Sequence, residues 1–397
     1  MRLEQRIDLL ARLGEHLLGE DEYLRAVMHR SEFHNKWFTK ENQEMAVRSI
    51  ATHFLKRELL ESWAARYPIS DLPTGKTVGI VMAGNIPLVG FHDWLCVFLA
   101  GHKAHIKLSE KDAYLFPYLI KIMESLDPNM AGWVETVDRL KDFDAVIATG
   151  RDFTMANFEV RHYTGNGLVA QETTNVMIRD LKLEDTGLYG VYPVRSSFVT
   201  VQRVEVIGAR DAGIYVGQSK GIVVEDCIAH GNVTGIEIEN SVDARVERNH
   251  VYNNAGGILV FALPGNPSKE ARRTRVAKNR IIGNNHENFA DPAAIVARVP
   301  SGGGVFILAA DDTEVTENGD LEVDFDGGVA VLGLDSLFPG QGPFDVGAFS
   351  DRTRVYANQY SGNGGKPDKA LAAAGLKGAD LLWDVTGPTN VWNEPGA

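Results

Sequence analysis

A repeat constrains this chain more than any other feature of its sequence. Glycine-led apolar segments run Gly167-Leu168-Val169-Ala170, Gly190-Val191-Tyr192, Gly213-Ile214-Tyr215-Val216, Gly235-Ile236-Glu237-Ile238 and Gly257-Ile258-Leu259-Val260. Gly304-Val305-Phe306-Ile307 and Gly328-Val329-Ala330-Val331 follow. Successive glycines are 23, 23, 22, 22, 47 and 24 residues apart, so the long gap reads as about two periods containing an insertion. A fixed period of this length signals a solenoid, in which each unit buries its apolar face only against its neighbours.

A second column supports the same period. Asp180, Arg203, Asp226 and Asn249 lie 23 residues apart, each after a β-branched or apolar run, and the column continues through Asn279, Asn318 and Asn358. These asparagines read as an internal turn ladder whose hydrogen bonds stack coil on coil. Between residues 160 and 260 no run has the length or the 3.6 period of a helix. One period therefore holds two or three short strands joined by Gly, Asn and Asp corners that accept left-handed backbone. The expected fold is mainly β: a parallel β-helix over 151–365, with 366–397 as a C-terminal cap. In that cap Lys369–Gly375 reads as a helical turn, and Leu381, Leu382, Trp383, Val391 and Trp392 as apolar cover.

Insertions break the period at Pro264–Arg273, Asn284–Gly302 and Leu332–Ser350, where solenoids commonly build a substrate face. Strand alternation points Ile236 and Ile238 inward and Glu237 and Glu239 outward. With Asp211 and Tyr215 on the preceding coil, they predict an acidic, aromatic-edged patch. Such a patch suits a sugar chain, or calcium through its carboxylates. With Arg195 or Arg210 as substrate contact or base, it suits lyase-type proton abstraction. The plain alternative is that these outward charges are simply solvated, and for a β-strand that is the commoner case. His230, His250 and His286 lack ligand spacing and read as turn residues rather than a metal site.

The formal net charge of −13 argues against a nucleic-acid backbone as partner. Cys96 and Cys227 are isolated and suggest neither a disulfide framework nor a zinc cluster. The N-terminus lacks the continuous apolar core of a secretory signal, and no run approaches a membrane span, so the expectation is a cytoplasmic chain.

The first 150 residues read differently. Leu9, Leu10, Leu13, Leu17 and Leu18 recur at helical spacing, and a helix is expected to begin near Thr39. Thr77–Met82 has the near-continuous apolar character of a strand buried on both faces. Gly84-Asn85-Ile86-Pro87 turns into a helix over 88–99. A strand at 102–108, a helix over 113–126 and a strand at 145–148 complete an incomplete α/β, Rossmann-like segment.

Two resemblances attach to these residues. Asp211–Ser219 and Gly235–Ser241, within 152–360, resemble right-handed parallel β-helix repeat proteins of the pectate-lyase-like superfamily. That resemblance implies a right-handed coil, carbohydrate-related binding or processing on the lateral face, and frequent export. Val81–Asp93, Gly101–Lys103, Ile106–Asp112 and Asp142–Gly150 resemble bioluminescence-type fatty acyl-CoA reductases, relatives of aldehyde dehydrogenases. It implies NADP, with Asn85 as the oxyanion-stabilising amide and Lys107 and Glu110 at the adenosine ribose. The resemblance stops at Gly150, short of any nucleophile-bearing domain. Cys96 and Cys227 sit in apolar surroundings that suit small hydrophobes rather than a thiolate. The segment is thus expected to be truncated and inactive, the β-helix carrying any function. A working NADPH-dependent reductase and a purely structural solenoid are the alternatives.

Overall fold

The computed structural model describes residues 1–322, 327–366, 377–384, 386–387 and 389–393. The chain divides into two compact units, Met1–Gly150 and Arg151–Ala397.

In the first unit, helices α1 (Leu3–Leu18), α2 (Glu22–His34), α3 (Lys40–His53) and α4 (Arg57–Ala64) precede an alternation of strands and helices. The order is β1 (Thr77–Val81), α5 (Phe91–Leu99), β2 (Lys103–Lys107), α6 (Leu115–Leu126), β3 (Val134–Thr136) and β4 (Ala145–Tyr163). Thr39 caps α3 by accepting from the Asn42 N–H at 3.3 Å, which fixes the start where the sequence puts it. β1 pairs in parallel with β2 on one side and with Ala145–Ala148 of β4 on the other, and β2 pairs with β3. The order is therefore 3-2-1-4, all parallel, as expected for a doubly wound sheet. The three-residue β3 carries no apolar run and went unread in the sequence. The core joins Leu9, Leu10 and Leu13 of α1 to Ile80, Ile106, Trp94, Phe98 and Phe116. Trp94 stacks on Phe98 at 5.4 Å and meets Phe116 edge-on at 5.5 Å.

The second unit is a parallel β-helix whose coils contribute three strands each. One sheet stacks Val191–Val194, Ala212–Gly217, Thr234–Glu239, Gly256–Phe261, Gly303–Leu308 and Gly327–Leu332. The second runs through Lys220–Glu225, Val242–Glu247 and Arg272–Ala277, the third through Ile228–His230, His250–Tyr252 and Arg280–Ile282. Ile214, Val216, Ile236, Ile238, Ile258 and Val260 fill the interior with no exposed surface. The glycine column has a steric cause: a β-carbon on Gly257 would lie 2.2 Å from the Gly304 carbonyl oxygen of the next coil.

Each corner carries its own polar ladder. Asn249 N–H donates to Asn279 Oδ1 at 2.9 Å, Asn279 to Asn318 at 3.0 Å, and Asn318 to Asn358 at 3.1 Å. The side-chain amides repeat the pattern at 3.0, 3.0 and 2.9 Å. Asn232, Asn254 and Asn284 form a second ladder, and Ser196, Ser219 and Ser241 a third. These ladders satisfy corner N–H groups that would otherwise be buried unpaired.

Two expectations of register need correcting. Asn249 stands in the column of Cys227, whose N–H it accepts at 3.0 Å; it is Arg248 that aligns with Asp226. The coil there is 22 residues long, so the 23-residue spacing slipped by one position. Asp180, Arg203, Asp226 and Arg248 share left-handed backbone, and their side chains pair vertically: Arg203 Nε to Asp180 at 2.6 Å, Arg248 Nε to Asp226 at 2.9 Å. The gap between Gly257 and Gly304 is one coil, not two, since Gly256–Phe261 pairs directly with Gly303–Leu308. Its extra length leaves the coil as loops. The expected helical turn Lys369–Gly375 lies outside the described residues. Ala379–Trp383 continues the first sheet against Gly327–Val331.

Candidate functional site on the lateral face of the coils

Outward positions of the first sheet line up in columns. Tyr215, Glu237, Leu259, Phe306 and Ala330 are consecutive partners, and Glu239 stands beside Gly217 and Phe261. Further along, Leu259, Phe306 and Ala330 form an apolar cluster with Phe261, Val299 and Leu332. At the other end the column is polar and aromatic.

Tyr189, Tyr192 and Tyr215 form one stack there, with ring centroids 4.6 Å (189–192), 4.8 Å (192–215) and 4.7 Å (189–215) apart. Tyr189 and Tyr192 are half-buried and present the open edge, while Tyr215 is 2% exposed. Asp211, Glu237 and Glu239 lie with them at 8%, 4% and 9% exposure. This overturns the expectation of solvated outward charges. Alternation gives the direction of a side chain correctly, but it does not reveal the loop that covers it. Asn240 holds the 263–271 loop through the Leu263 and Ser268 carbonyls at 3.0 and 2.8 Å, and Asn266 from that loop reaches over Glu239.

Each carboxyl has a defined environment. Thr234 Oγ1 donates to Glu237 Oε1 at 2.7 Å. Asn266 Nδ2 donates to Glu239 Oε1 at 2.7 Å, and the Tyr215 hydroxyl donates to Glu239 Oε2. Asp211 Oδ1 is buried without a hydrogen-bond partner. Burial pushes the Asp211 carboxyl up to about 6, the Tyr189 hydroxyl pulling the other way. Glu237 is raised well above the usual carboxylate range by burial, with the neighbouring Asp211 charge adding to it. Burial also raises Glu239, against the hydrogen bonds from Tyr215 and Asn266. Taking a carboxylate out of water without a cation beside it favours the neutral acid. The site is therefore a set of buried carboxyls whose protons are lost at higher pH than in water, lying behind an aromatic edge.

The remaining sequence-derived candidates fall elsewhere. Arg195 pairs with Glu172 at 3.0 Å and lines a cavity of about 320 Å³ whose lining includes none of the three carboxyls. Arg210 is exposed, its backbone N–H donating to the Thr186 carbonyl at 3.1 Å. A guanidinium stays protonated, so both can supply charge more readily than accept a proton. Among the described residues no group of three or more His, Cys, Asp or Glu side chains is arranged to hold a metal ion. His230 stacks on Tyr252 at 4.6 Å. Sequence reasoning missed Tyr189, Thr234 and Asn266. Tyr192 stands one period before Tyr215, so repetition could have marked it as part of the stack; Asn266, in an insertion, has no periodic signal.

In the first unit Asn85 is exposed, the Lys107 ammonium donates to the Asp138 carbonyl at 2.8 Å, and Glu110 is exposed. Gly84 precedes Asn85 because a β-carbon there would lie 2.3 Å from Ser109 Oγ. Burial, with Asp93 adding, pushes the Cys96 thiol up to about 11, and burial pushes Cys227 to about 12. Neither is a thiolate at neutral pH. Among the described residues no helix is long and apolar enough to cross a membrane.

Comparison with known proteins agrees with this architecture. A family of right-handed β-helix regions matches residues 144–319, and the fold is a mainly β, right-handed parallel β-helix with helices gathered towards the N-terminus. No curated protein matches the sequence. Among solved structures, the A-module of the Azotobacter vinelandii mannuronan C-5 epimerase AlgE4 is 12% identical, with 81% of this chain and 83% of that one covered at a TM-score of 0.36. The periplasmic alginate epimerase AlgG is 15% identical, covering 74% and 60% at 0.36. The catalytic domain of a GH87 α-1,3-glucanase is 9% identical, covering 81% and 62% at 0.34. At such low TM-scores the fold assignment rests on the strand register and the family match. Neither the family match nor these structures lends support to a reductase reading of residues 1–150.

Proposed function

We propose that the lateral face around Tyr189, Tyr192 and Tyr215 binds a glycan and that the carboxyls behind it exchange protons with the bound sugar. The observation that carries this reading is the adjacency of a tyrosine stack to three buried carboxyls, each of which holds its proton to higher pH than a carboxyl in water. Sugar rings present apolar C–H faces that aromatic rings accept, while hydroxyls need donors and acceptors fixed nearby. A carboxyl with a raised pKa donates a proton near neutral pH, which suits general-acid assistance to a leaving glycosidic oxygen. Asp211, with an uncommitted buried oxygen, is the group best placed to take a new partner. Glu239 is tied to the Asn266 loop and responds to whatever displaces it.

A purely structural role is favoured by one observation: Glu237 and Glu239 already have internal partners. Incubating the whole chain with a panel of neutral and acidic polysaccharides, and separating the products by chromatography, distinguishes the two. The glycan reading predicts shortened or modified chains with the wild type and none with Glu239→Gln. No binding and no product with any member of the panel contradicts it.

A further inference from the structure

A second feature of the same coils carries no assigned role. The cavity of about 320 Å³ beside the tyrosine face is lined by Arg195, Lys220, Arg272 and Arg273, with Gln218 and one acidic residue, Glu270. Such a concentration of cations is unexpected on a chain of formal net charge −13. Three of them are engaged: Arg195 with Glu172 at 3.0 Å, Arg272 with Glu270 at 2.9 Å, and Arg273 with Asp243 at 2.5 Å. Lys220 makes no direct ion pair among the described residues, although Asp243 feels its charge along with those of Arg273 and Arg272, and Arg272 Nε is buried without a hydrogen-bond partner. The wall thus holds donors in excess of the acceptors the protein supplies.

The cavity also connects to the carboxyl site. Gln218, in its wall, donates through Nε2 to Asn266 Oδ1 at 3.3 Å, and Asn266 donates to Glu239 at 2.7 Å. Tyr192 lies in the strand Val191–Val194, and Arg195 is the left-handed residue that directly follows it.

We infer that this cavity is a subsite for an oxyanion, carboxylate or sulfate, carried by the glycan that lies across the tyrosine face. The inference rests on the glycan reading above and narrows it to acidic glycans. Guanidinium groups meet such oxyanions through two parallel N–H donors, and an ammonium adds a point charge. The negative charge of the rest of the chain does not defeat this. At physiological ionic strength charges beyond about 8 Å are largely screened, so the local cations dominate inside the cavity.

The test is calorimetric titration of the full chain with three hexasaccharides, one bearing carboxylates, one sulfates and one neutral, and with inorganic sulfate alone. The acidic hexamers are expected to bind with a salt-dependent affinity that falls about tenfold or more in Lys220→Ala and Arg272→Ala and is retained in Lys220→Arg. Neutral-hexamer binding is expected to be the same in all variants. Whichever acidic hexamer binds more tightly identifies the oxyanion. Acidic hexamers that bind Lys220→Ala and Arg272→Ala as tightly as wild type overturn the subsite while leaving the glycan face standing. Failure of every hexamer to bind overturns both. Binding of inorganic sulfate with no glycan, an adventitious ion only, overturns the inference. Lys220 is exposed, so its variant reports even where loss of Arg272 disturbs the fold.

Discussion

Arg6 in the first unit and Asn279 in the second are both buried polar side chains, at 0% and 1% exposure, yet they belong to different kinds of structure. Arg6 is a single cation inside an apolar core. It donates to the carbonyls of Met1, Ser70 and Leu99 at 2.8, 2.9 and 3.1 Å and lies over the Trp133 ring. It closes one helical layer by hand, and nothing repeats it. Asn279 is one rung among several, donating to the Val246 carbonyl at 2.9 Å and to Asn318 while accepting from Asn249. The first unit is a layered fold whose buried polar side chains, Arg6, Ser31, Gln43 and Asp112, each stand alone without a repeat. The second is a one-dimensional stack that distributes its polar burial along three corners, so a defect there is shared by neighbouring coils.

The largest expected effect comes from breaking a rung. Asn279→Ala takes the acceptor from the buried Asn249 backbone N–H and from one N–H of its side-chain amide, and a donor from the Val246 carbonyl, at roughly 1–3 kcal/mol per lost partner, and should lower stability by about 4 kcal/mol in denaturant unfolding followed by far-ultraviolet circular dichroism. Arg6→Ala should cost somewhat less, about 3 kcal/mol, by stranding carbonyls and opening a cavity. It is best read by tryptophan fluorescence, because four of the six tryptophans, Trp37, Trp63, Trp94 and Trp133, lie in the first unit and only Trp383 and Trp392 in the second. Equal losses in both signals for both variants would erase the contrast between point and ladder.

A titration sharpens the comparison, because each unit holds a buried carboxyl pushed up to about 6 by burial: Asp112, which accepts from the Leu88 N–H at 2.8 Å, and Asp211. A carboxyl raised above its unfolded value of 3.8 binds its proton more tightly in the folded chain. Its contribution is therefore fully present below the unfolded value and lost as pH rises through about 6. The melting temperature should fall from pH 5 to pH 8, and Asp211→Asn should remove a share worth on the order of 2 kcal/mol. The smallest effect belongs to the outer ion pairs. Arg248 meets Glu225 at 2.5 Å and Asp226 at 2.9 Å, but its side chain is 44% exposed. Arg248→Ala should change stability by less than about 1 kcal/mol, and less still in high salt.

The sequence made the coil legible because steric and hydrogen-bond needs recur at every level. Gly213, Gly235 and Gly257 repeat because successive backbones leave no room for a β-carbon, and Asn279, Asn318 and Asn358 repeat because each corner amide needs the same partner. Legibility fell where an insertion changed the spacing. The 47 residues between Gly257 and Gly304 read as two periods because the loops carried by one coil bring it to about twice the usual spacing. At the candidate site, alternation revealed Tyr215, Glu237 and Glu239. The burial that makes them chemically distinctive depends on Asn266 and its loop, whose path no local pattern encodes. In the first unit the helical spacing of Leu9, Leu10 and Leu13 was plain, whereas β3 is short and polar.

The claim on which the functional account turns is that the tyrosine edge is a glycan-binding surface. Tyr192 is half-buried at that edge and stacks on both neighbours, so calorimetric titration of the whole chain and of Tyr192→Ala with the same oligosaccharides tests it directly. The account predicts saturable binding by the wild type and affinity weaker by about fivefold or more in the variant, the scale of one lost aromatic contact. Equal affinity in both proteins, or no binding by either, would contradict it.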